Sequence, residues 1–199
     1  MQEKVQVVEQ DYDVSINERE IRNGHRACCF WFTGLPCSGK STISNAVEQE
    51  LYNLGFNTYI LDGDNIRKGL NKDLSFTEEG RVENLRRTGE VAKLMCDAGL
   101  VVMAAFVSPF KKDRQLLRDL MPGKFVEIFV DAPIEVCEER DVKGMYKKAR
   151  NKEISNFTGI SSPYEPPTNP DLHIRTDQYT IDESVKIIVD YILPILKLG

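Results

Sequence analysis

Apolar residues in this chain occur in two kinds of pattern, continuous runs and helix-spaced stripes. The runs cover residues 27–33, 58–61, 101–107 and 125–130, each of which has the length of a β-strand. The first, third and fourth runs contain almost no polar residue, which is typical of strands that are buried on both faces of a sheet. The four runs therefore predict four strands of a central sheet.

Between the runs, apolar residues recur every three or four positions, as on a helix that buries one face. Gly55 is placed to end the first of these helices, and Pro133 to begin a helix that runs through Arg140. Thr180 and Glu183 form a capping-box pattern before the last helix. The predicted buried stripes are Ile43, Ala46, Val47, Leu51 and Leu54; Leu85, Val91, Ala92, Met95 and Ala98; Leu116, Leu117 and Leu120; and Val185, Ile188, Tyr191, Ile192 and Ile195.

Strands that alternate with helices indicate an α/β fold, with a central parallel sheet of about five strands and helices on both faces. Residues 1–24 are polar without a clear period and predict a peripheral N-terminal arm, so that residues 25–199 form one domain. Residues 141–171 are rich in Lys, Gly, Asn and Pro and predict a surface lid. Its low apolar content predicts that the lid orders only when a ligand is bound.

The composition agrees with one globular domain and excludes several functional classes. The 199 residues include 41% apolar side chains and carry a net charge of −5 without a dominant basic cluster, so we expect no nucleic-acid partner. No apolar run approaches the roughly 18 residues of a membrane span, and the first residues lack the apolar stretch of a secretory signal. Five cysteines without a CxxC pair favour a reducing compartment. We therefore expect a cytoplasmic protein without a membrane partner.

The most specific motif lies at residues 34–41, directly after the first predicted strand. Its sequence, GLPCSGKS, matches GxxxxGK[ST], the phosphate-binding P-loop. Glycines in such a loop let consecutive backbone N–H groups surround phosphates, and the following helix adds a favourable dipole. Lys40 is expected to reach the β- and γ-phosphates of ATP, and the Ser41 hydroxyl to bind Mg²⁺. The predicted nucleotide-binding residues are Gly34, Pro36, Cys37, Ser38, Gly39, Lys40, Ser41 and Thr42.

The rest of the sequence narrows the class of P-loop protein. A regulatory GTPase would need an NKxD signature, which the segments NKDL at 71–74 and NKEI at 151–154 both lack. A motor or transporter ATPase would need a longer chain with coupling domains. The length therefore favours a kinase that acts on a small molecule.

A second group of polar residues follows the second predicted strand, at the sheet edge where ligands bind in open α/β sheets. Asp62 and Asp64 can orient or deprotonate an acceptor hydroxyl, and Asp62 can also help to hold Mg²⁺. The alternative for either aspartate is a turn residue that caps the next helix. Arg67, and Arg81 with Asn84, can hold an anionic acceptor, although each arginine alone also fits a solvated surface position.

Several further segments, in order and spacing, resemble the adenylylsulfate (APS) kinase family of the P-loop NTPase superfamily, from about residue 23 to residue 193. NGHR at 23–26 and WFTGL at 31–35 lead into the P-loop, and LDGDNIR at 61–67 matches the family's LDGDN-[IV]-R. RVENLRR at 81–87 matches its R-x-EN-[IL]-RR helix, and KGMYKKAR at 143–150 with FTGI at 157–160 matches its lid. These independent matches make the resemblance more specific than the P-loop alone.

The resemblance implies transfer of the γ-phosphoryl group of ATP to the 3′-hydroxyl of APS, which gives PAPS and ADP. It implies Lys40, Asp62, Asp64 and Ser108 as the catalytic candidates, and Asp62 is the best candidate to activate the hydroxyl. In this family, a phosphoserine intermediate is described at the position of Ser108. Direct in-line transfer needs no covalent step, so we expect Ser108 to bind APS instead.

The resemblance also implies a set of binding residues and a homodimer. Phe76 and Phe157 would sandwich the adenine of APS, Arg67 and Arg81 would bind its phosphosulfate, and Arg140 would lie near the adenine of ATP, as would the region of Thr176. The implied APS contacts are Asp64, Asn65, Ile66, Arg67, Phe76, Arg81, Val82, Glu83, Asn84, Val107, Ser108, Lys143, Asn156 and Phe157.

The sequence departs from the family pattern inside the P-loop, where Pro36 and Cys37 replace the usual serine and glycine. Cys37 would lie near converging N–H groups, Lys40 and a helix N-terminus, which favours a reactive thiolate. The alternative for Cys37 is a small, inert side chain that points away from the nucleotide.

Two other functions stay open at this point. One is a kinase of similar fold that acts on another nucleotide or small metabolite. The other is a non-catalytic nucleotide-binding subunit, against which the intact Lys40, Ser41 and Asp62 argue.

Overall fold

The computed structural model describes residues 10 and 12–198, which form five strands and eight helices. The strands are β1 (Cys28–Thr33), β2 (Thr58–Asp62), β3 (Val101–Ala105), β4 (Phe125–Asp131) and β5 (Leu172–Arg175). The helices are α1 (Ile16–Asn23), α2 (Lys40–Asn53), α3 (Gly63–Lys68), α4 (Glu78–Asp97), α5 (Lys111–Leu120), α6 (Ile134–Glu139), α7 (Met145–Arg150) and α8 (Ile181–Leu196).

All five strands run parallel in the order β2-β3-β1-β4-β5. The central strand β1 pairs Phe30 with Met103 on one side and with Val126 on the other. Because the strands are parallel, their carboxyl ends meet at one edge, where β1 leads into the P-loop and β2 ends at Asp62. The prediction of a parallel sheet of about five strands is confirmed.

The two faces of the sheet bury separate hydrophobic clusters. Phe30 and Phe32 of β1 pack with residues of α2 and α8, whereas Cys29 and Trp31 pack with residues of α4 and α5. Every residue of β1 is buried, as the continuous apolar run predicts. Helices therefore cover both faces of the sheet. The loops that lead from the strands into these helices lie at the carboxyl edge.

Most predicted helices form, with small differences in their buried faces. Thr180 and Glu183 make the predicted capping box at the start of α8. Leu54 and Leu116, predicted to be buried, are 57% and 64% exposed. Leu54 is the residue that caps the end of α2, and on α5 it is Leu117 that is buried, with Leu120 partly buried beside it.

The predicted N-terminal arm contains a helix that packs on the domain. Ser15 caps α1 in a capping box with Glu18. Glu20 is buried and accepts hydrogen bonds from the Ala27 N–H (2.9 Å) and from Lys124 Nζ (2.6 Å). The predicted peripheral arm is therefore helical over residues 16–23 and contacts the domain through Glu20, while residues 1–9 and 11 lie outside the described residues.

The predicted lid, residues 141–171, packs on a small hydrophobic cluster of its own. Tyr146 of α7 is buried, and its hydroxyl donates a 2.9 Å hydrogen bond to the Pro36 carbonyl of the P-loop. The expectation that the lid lacks the apolar residues to pack is therefore wrong for this part of the segment. The cluster consists of Ala132, Cys137 and Tyr146, with Leu35, Cys37, Ile134, Val136, Phe157 and Ile160 partly buried around them.

None of the helices within residues 10 and 12–198 combines the length and the apolar character that a membrane span requires.

Candidate active site

Two glycines allow the P-loop to fold closely against the sheet. A Cβ atom on Gly34 would lie 2.2 Å from the Val130 carbonyl oxygen, so a larger residue would force the loop away from β4. Gly39 precedes α2 with φ 103°, a left-handed conformation that favours glycine. The loop therefore leads from β1 directly into the N-terminus of α2, where phosphates bind in this type of fold.

Lys40, the first residue of α2, folds back over the P-loop. Its Nζ donates hydrogen bonds to the carbonyl oxygens of Gly34 (3.0 Å) and Leu35 (2.6 Å). Burial lowers the pKa of Lys40 to about 8. The ammonium group thus lies among the carbonyls of the loop, where an anionic ligand would supply a stronger partner.

The predicted metal residues meet at the same edge. Ser41 Oγ donates a 2.8 Å hydrogen bond to Asp62 Oδ2. The other carboxylate oxygen, Oδ1, accepts from the Asp64 N–H at 3.0 Å and caps α3. The helix-capping alternative therefore applies to Asp62, but only to one of its oxygens, and the second oxygen faces the P-loop.

Thr176 contacts the P-loop, and Arg140 holds Thr176. Thr176 Oγ1 donates to the Ser38 carbonyl (2.9 Å), and Arg140 donates to both the hydroxyl and the carbonyl of Thr176. Ser38 Oγ is buried without a hydrogen-bond partner among the described residues. Thr42 is exposed on the first turn of α2.

On the acceptor side, Arg67 and Phe76 lie together. The guanidinium of Arg67 stacks over the Phe76 ring, 4.3 Å from its centroid, and Nη1 donates to the carbonyls of Leu74 and Ser75. Phe76 is 64% exposed, so its ring is available to a planar ligand. Burial lowers the pKa of Arg67, whereas the charge of Asp64 acts in the opposite direction.

Arg81 connects the start of α4 to the lid. Its guanidinium donates to the Phe76 carbonyl (3.0 Å), to Thr158 Oγ1 (2.6 Å) and to the Asn156 carbonyl. Burial and the charge of Arg67 lower its pKa. The two arginines are therefore close enough to repel each other, an arrangement that an anion between them would relieve.

The lid brings two further predicted residues to this side. Lys143 Nζ forms a 2.6 Å ion pair with Asp64 Oδ2, and both side chains are exposed. Phe157 packs edge-on against Tyr146 with 4.9 Å between the ring centroids. Asn156 has a positive φ of 57°, which turns its carbonyl towards Arg81.

The other predicted acceptor residues differ in burial and in their contacts with the protein. Ile66 packs into the core beside α4, and Glu83 is held in ion pairs by Arg86 and Arg87, whose hydrogen bonds lower its pKa to about 2. Asn65 is exposed, and Val82 and Val107 are half-buried. The side chains of Ile66 and Glu83 therefore have protein partners of their own, and their predicted role in the acceptor site stays a prediction.

Ser108 is held by hydrogen bonds to Trp31, Thr33 and Arg114. Its hydroxyl accepts from Trp31 Nε1 (3.0 Å) and donates to Thr33 Oγ1 (2.9 Å), and it is almost fully buried. Arg114 donates to the Ser108 carbonyl, which holds a strained backbone with φ 38°. The hydroxyl is occupied by protein partners, so its geometry does not suit a nucleophile.

Burial and the charge of Asp141 raise the pKa of Cys37, which disfavours the predicted reactive thiolate. The effect of Lys40 in the opposite direction is smaller. Cys37 packs with the cluster around Tyr146, as the inert alternative for this residue proposes.

Sequence reasoning missed three residues that support the site. Asn71, Arg114 and Tyr146 are buried and donate to backbone or side-chain atoms of predicted site residues. A buried arginine inside a charged helix carries no local signal, because the sequence around Arg114 is that of a solvated surface. Tyr146 lies within KGMYKKAR, a segment that resembles a family motif, whereas Asn71 lies outside the segments that carry the resemblance.

Comparison with known proteins links this geometry to one family. The family model described as Adenylylsulphate kinase matches residues 26–175. An adenylyl-sulfate kinase of Pseudomonas entomophila is 56% identical over 172 residues, which cover 86% of this chain and 83% of that protein. An adenylyl-sulfate kinase of Marinobacter nauticus is 52% identical over 187 residues, which cover 94% of each chain.

A solved structure agrees with the sequence comparison. The APS kinase of Mycobacterium tuberculosis, in complex with AMPPNP and APS, superimposes with a TM-score of 0.81 and 45% sequence identity. The match covers 84% of this chain and 98% of that one.

Proposed function

The chain belongs to the adenylylsulfate kinase family, and on that premise we propose how its residues transfer the γ-phosphoryl group of ATP to the 3′-hydroxyl of APS. The hydrogen bond between Ser41 and Asp62 carries the proposal, because it places a carboxylate next to the phosphate-binding loop. The hydroxyl oxygen attacks the γ-phosphorus, the bond to the bridging oxygen of ADP breaks, and Asp62 accepts the hydroxyl proton.

On the donor side, the P-loop holds the phosphates of ATP. The backbone N–H groups of residues 37–41 surround them, and Lys40 exchanges its hydrogen bonds with Gly34 and Leu35 for phosphate oxygens. Its charge then stabilises the phosphoryl group in transfer. Thr176, which contacts the loop, and Arg140, which donates to Thr176, lie where the adenine of ATP would follow the phosphates.

The oxygen atoms beside the P-loop fit a magnesium ion. Ser41 Oγ and Asp62 Oδ2 lie 2.8 Å apart, and both are oxygen atoms that can coordinate a metal ion. Mg²⁺ binds such oxygen ligands together with phosphates and water. These two residues would hold Mg²⁺, which when bound neutralises the charge of the β- and γ-phosphates.

On the acceptor side, paired arginines, the exposed Phe76 and the partly buried Phe157 suit an adenine nucleotide with a negatively charged tail. Arg67 and Arg81 bind the phosphosulfate, while Phe76 and Phe157 stack on the adenine. The ion pair of Lys143 with Asp64 brings the lid over this side. Closure of the lid excludes water during transfer.

We propose that two copies of the chain form a homodimer. Tyr52, Leu54 and Tyr59 are large apolar residues exposed at the end of α2 and on the edge strand β2. Light scattering coupled to gel filtration tests this assembly, and a mass of one chain would contradict it.

We also propose that the protein works in the cytoplasm. Its five cysteines are all free thiols, and four of them are buried, which suits a reducing compartment.

The activity is tested by ADP release from ATP with and without APS, together with mass detection of PAPS. We expect ADP release to depend on APS and PAPS to form in equal amount. ADP release that is independent of APS, or a product phosphorylated elsewhere, would contradict the proposed reaction.

A further inference from the structure

Asn71 is a fully buried polar residue in the loop between α3 and α4. Its N–H donates to the Ile66 carbonyl (3.0 Å), and its own carbonyl accepts from the Leu74 N–H (3.1 Å). The backbone of Asn71 therefore closes the loop that carries Leu74 and Ser75, whose carbonyls hold Arg67.

The side chain of Asn71 reaches across to α4. Its Nδ2 donates to Asn84 Oδ1 at 3.0 Å and lies 3.4 Å from the Asn84 carbonyl. That carbonyl also accepts from Thr88 Oγ1 at 2.7 Å. Because Asn71 presents a donor, the oxygen end of the Asn84 amide must face it.

This contact decides which end of Asn84 remains for a ligand. Asn84 Nδ2 makes no hydrogen bond among the described residues, and it is not a fully enclosed atom. Asn84 lies one helical turn from Arg81, so its free donor shares the face of α4 that carries the acceptor-side arginine.

The fold retains Asn71 although the residue is poorly satisfied. Asn71 Oδ1 is buried without a partner among the described residues, which destabilises the native state. An apolar side chain of the same size would avoid that cost. It would also leave Asn84 Oδ1 without the one hydrogen bond that it accepts among the described residues, so the contact of Asn71 fixes the Asn84 amide.

We propose that Asn71 is a positioning residue for APS: it fixes the Asn84 amide so that Nδ2 donates a hydrogen bond to the acceptor nucleotide. The inference rests on the proposed function, because it assumes that Asn84 contacts APS. Asn71 itself acts through Asn84 and not through the nucleotide.

The experiment compares Asn71→Ala, Asn84→Ala and the double variant by steady-state kinetics with APS and ATP. Alanine at position 71 keeps both backbone hydrogen bonds and removes only the amide. We expect Asn71→Ala to raise KM for APS about tenfold, because one oriented hydrogen bond to the nucleotide is lost. KM for ATP should change little. In a protein that already carries Asn84→Ala, adding Asn71→Ala should change KM for APS very little.

Asn71→Asp gives a second test with an isosteric side chain. A carboxylate only accepts, so the Asn84 amide rotates to donate to it, and its oxygen then faces the ligand. KM for APS should again rise, and thermal unfolding shows that the variant is folded. Lys72→Ala, an exposed neighbour in the same loop, is the control that leaves KM unchanged.

The outcomes separate the two proposals. If Asn84→Ala leaves KM for APS unchanged, the assignment of Asn84 to the acceptor site is wrong. If Asn84→Ala raises KM and both folded Asn71 variants do not, the positioning role is wrong. Equal increases in KM for APS and for ATP would also overturn it, because they would indicate a general structural defect.

Discussion

The hydroxyl of Ser41 donates a 2.8 Å hydrogen bond to the carboxylate of Asp62, across the carboxyl edge of the sheet. Ser41 lies in the first turn of α2, which follows β1, whereas Asp62 ends β2, and β3 separates the two strands. The second oxygen of Asp62 accepts from the Asp64 N–H. A single carboxylate thus joins the nucleotide side of the site to the acceptor side.

Replacement of Asp62 by asparagine should lower kcat about a hundredfold or more, because an amide cannot accept the hydroxyl proton. Asparagine can still accept from the Asp64 N–H, so we expect the thermal unfolding temperature to change little. Asp190→Asn, an exposed acid paired with Lys186 on α8, is the matched control and should keep full activity. An Asp62→Asn variant with normal kcat would contradict the role of Asp62.

Lys40 should make the stability of the nucleotide-free protein depend on pH. Burial lowers its pKa from 10.5 to about 8 in the folded state. Between these values the unfolded chain binds more protons than the folded one, so stability rises as pH increases.

We therefore expect wild type to gain stability relative to Lys40→Met between pH 8 and pH 10, by about 1 kcal/mol per pH unit. Urea unfolding of both proteins across this range measures the difference. A difference that stays constant with pH would show that Lys40 titrates at its ordinary value. The Met variant should also lose ATP turnover, since its side chain carries no charge.

The core strands were predictable because they are continuous apolar runs, but β5 was not. Its sequence, Leu172–Arg175, is short and mixes polar with apolar residues, since it lies at the edge of the sheet. The helix α1 was not predicted because the residue that it buries is a charged one, Glu20, so the segment has no apolar stripe. Buried charge is stabilised by tertiary partners, here Lys124 and the Ala27 N–H, which no local pattern reveals.

The P-loop was predictable from sequence because its function depends on consecutive backbone groups. The acceptor side depends instead on contacts between distant segments, such as Arg81 with Thr158. Ser108 illustrates the difference: its position in the chain suggested chemistry, whereas its contacts with Trp31 and Thr33 bury the hydroxyl.

Phe157→Ala should weaken APS binding more than ATP binding. Stacking of one aromatic ring on a base contributes about 1–3 kcal/mol, so KM for APS should rise roughly tenfold or more. Phe110→Ala, a half-buried aromatic at the start of α5, is the control. Equal effects on both substrates would place Phe157 outside the acceptor site.

Hydrogen exchange should show that part of the lid closes on APS and ADP. Residues 151–156 are mostly exposed, so their amides should gain protection when both ligands bind. Residues 145–150 already form α7, where Tyr146 is buried, and should change less. Equal protection of residues 151–156 with and without ligands would contradict a closing lid.

Cys37 should react slowly with iodoacetamide at neutral pH, because burial and Asp141 raise its pKa. Asp141→Asn removes the negative charge and should speed labelling of Cys37, as measured by peptide mapping. The other four cysteines are buried and serve as internal controls. Labelling of Cys37 as fast as a free thiol would show that the loop favours the thiolate after all.

Arg114→Met should destabilise the protein strongly, by about 3–5 kcal/mol, because it leaves the carboxylate of Glu127 buried without its main partner. Arg114 is almost fully buried and lies 2.6 Å from Glu127 Oε1, while Arg118 lies 3.7 Å from the other oxygen. The same guanidinium donates to the Ser108 and Glu165 carbonyls, so its loss also loosens the loop around Ser108 and the last part of the lid.

The double variant Arg114→Met with Glu127→Leu should recover part of that loss, since it removes the unpaired charge. Arg86→Met is the control, because Arg86 pairs with Glu83 on an exposed surface and such a pair contributes at most about 1 kcal/mol. Urea unfolding of the three variants gives the comparison. If Arg114→Met and Arg86→Met lower the free energy of unfolding by the same amount, the buried pair of Arg114 with Glu127 contributes no more to stability than an exposed pair does.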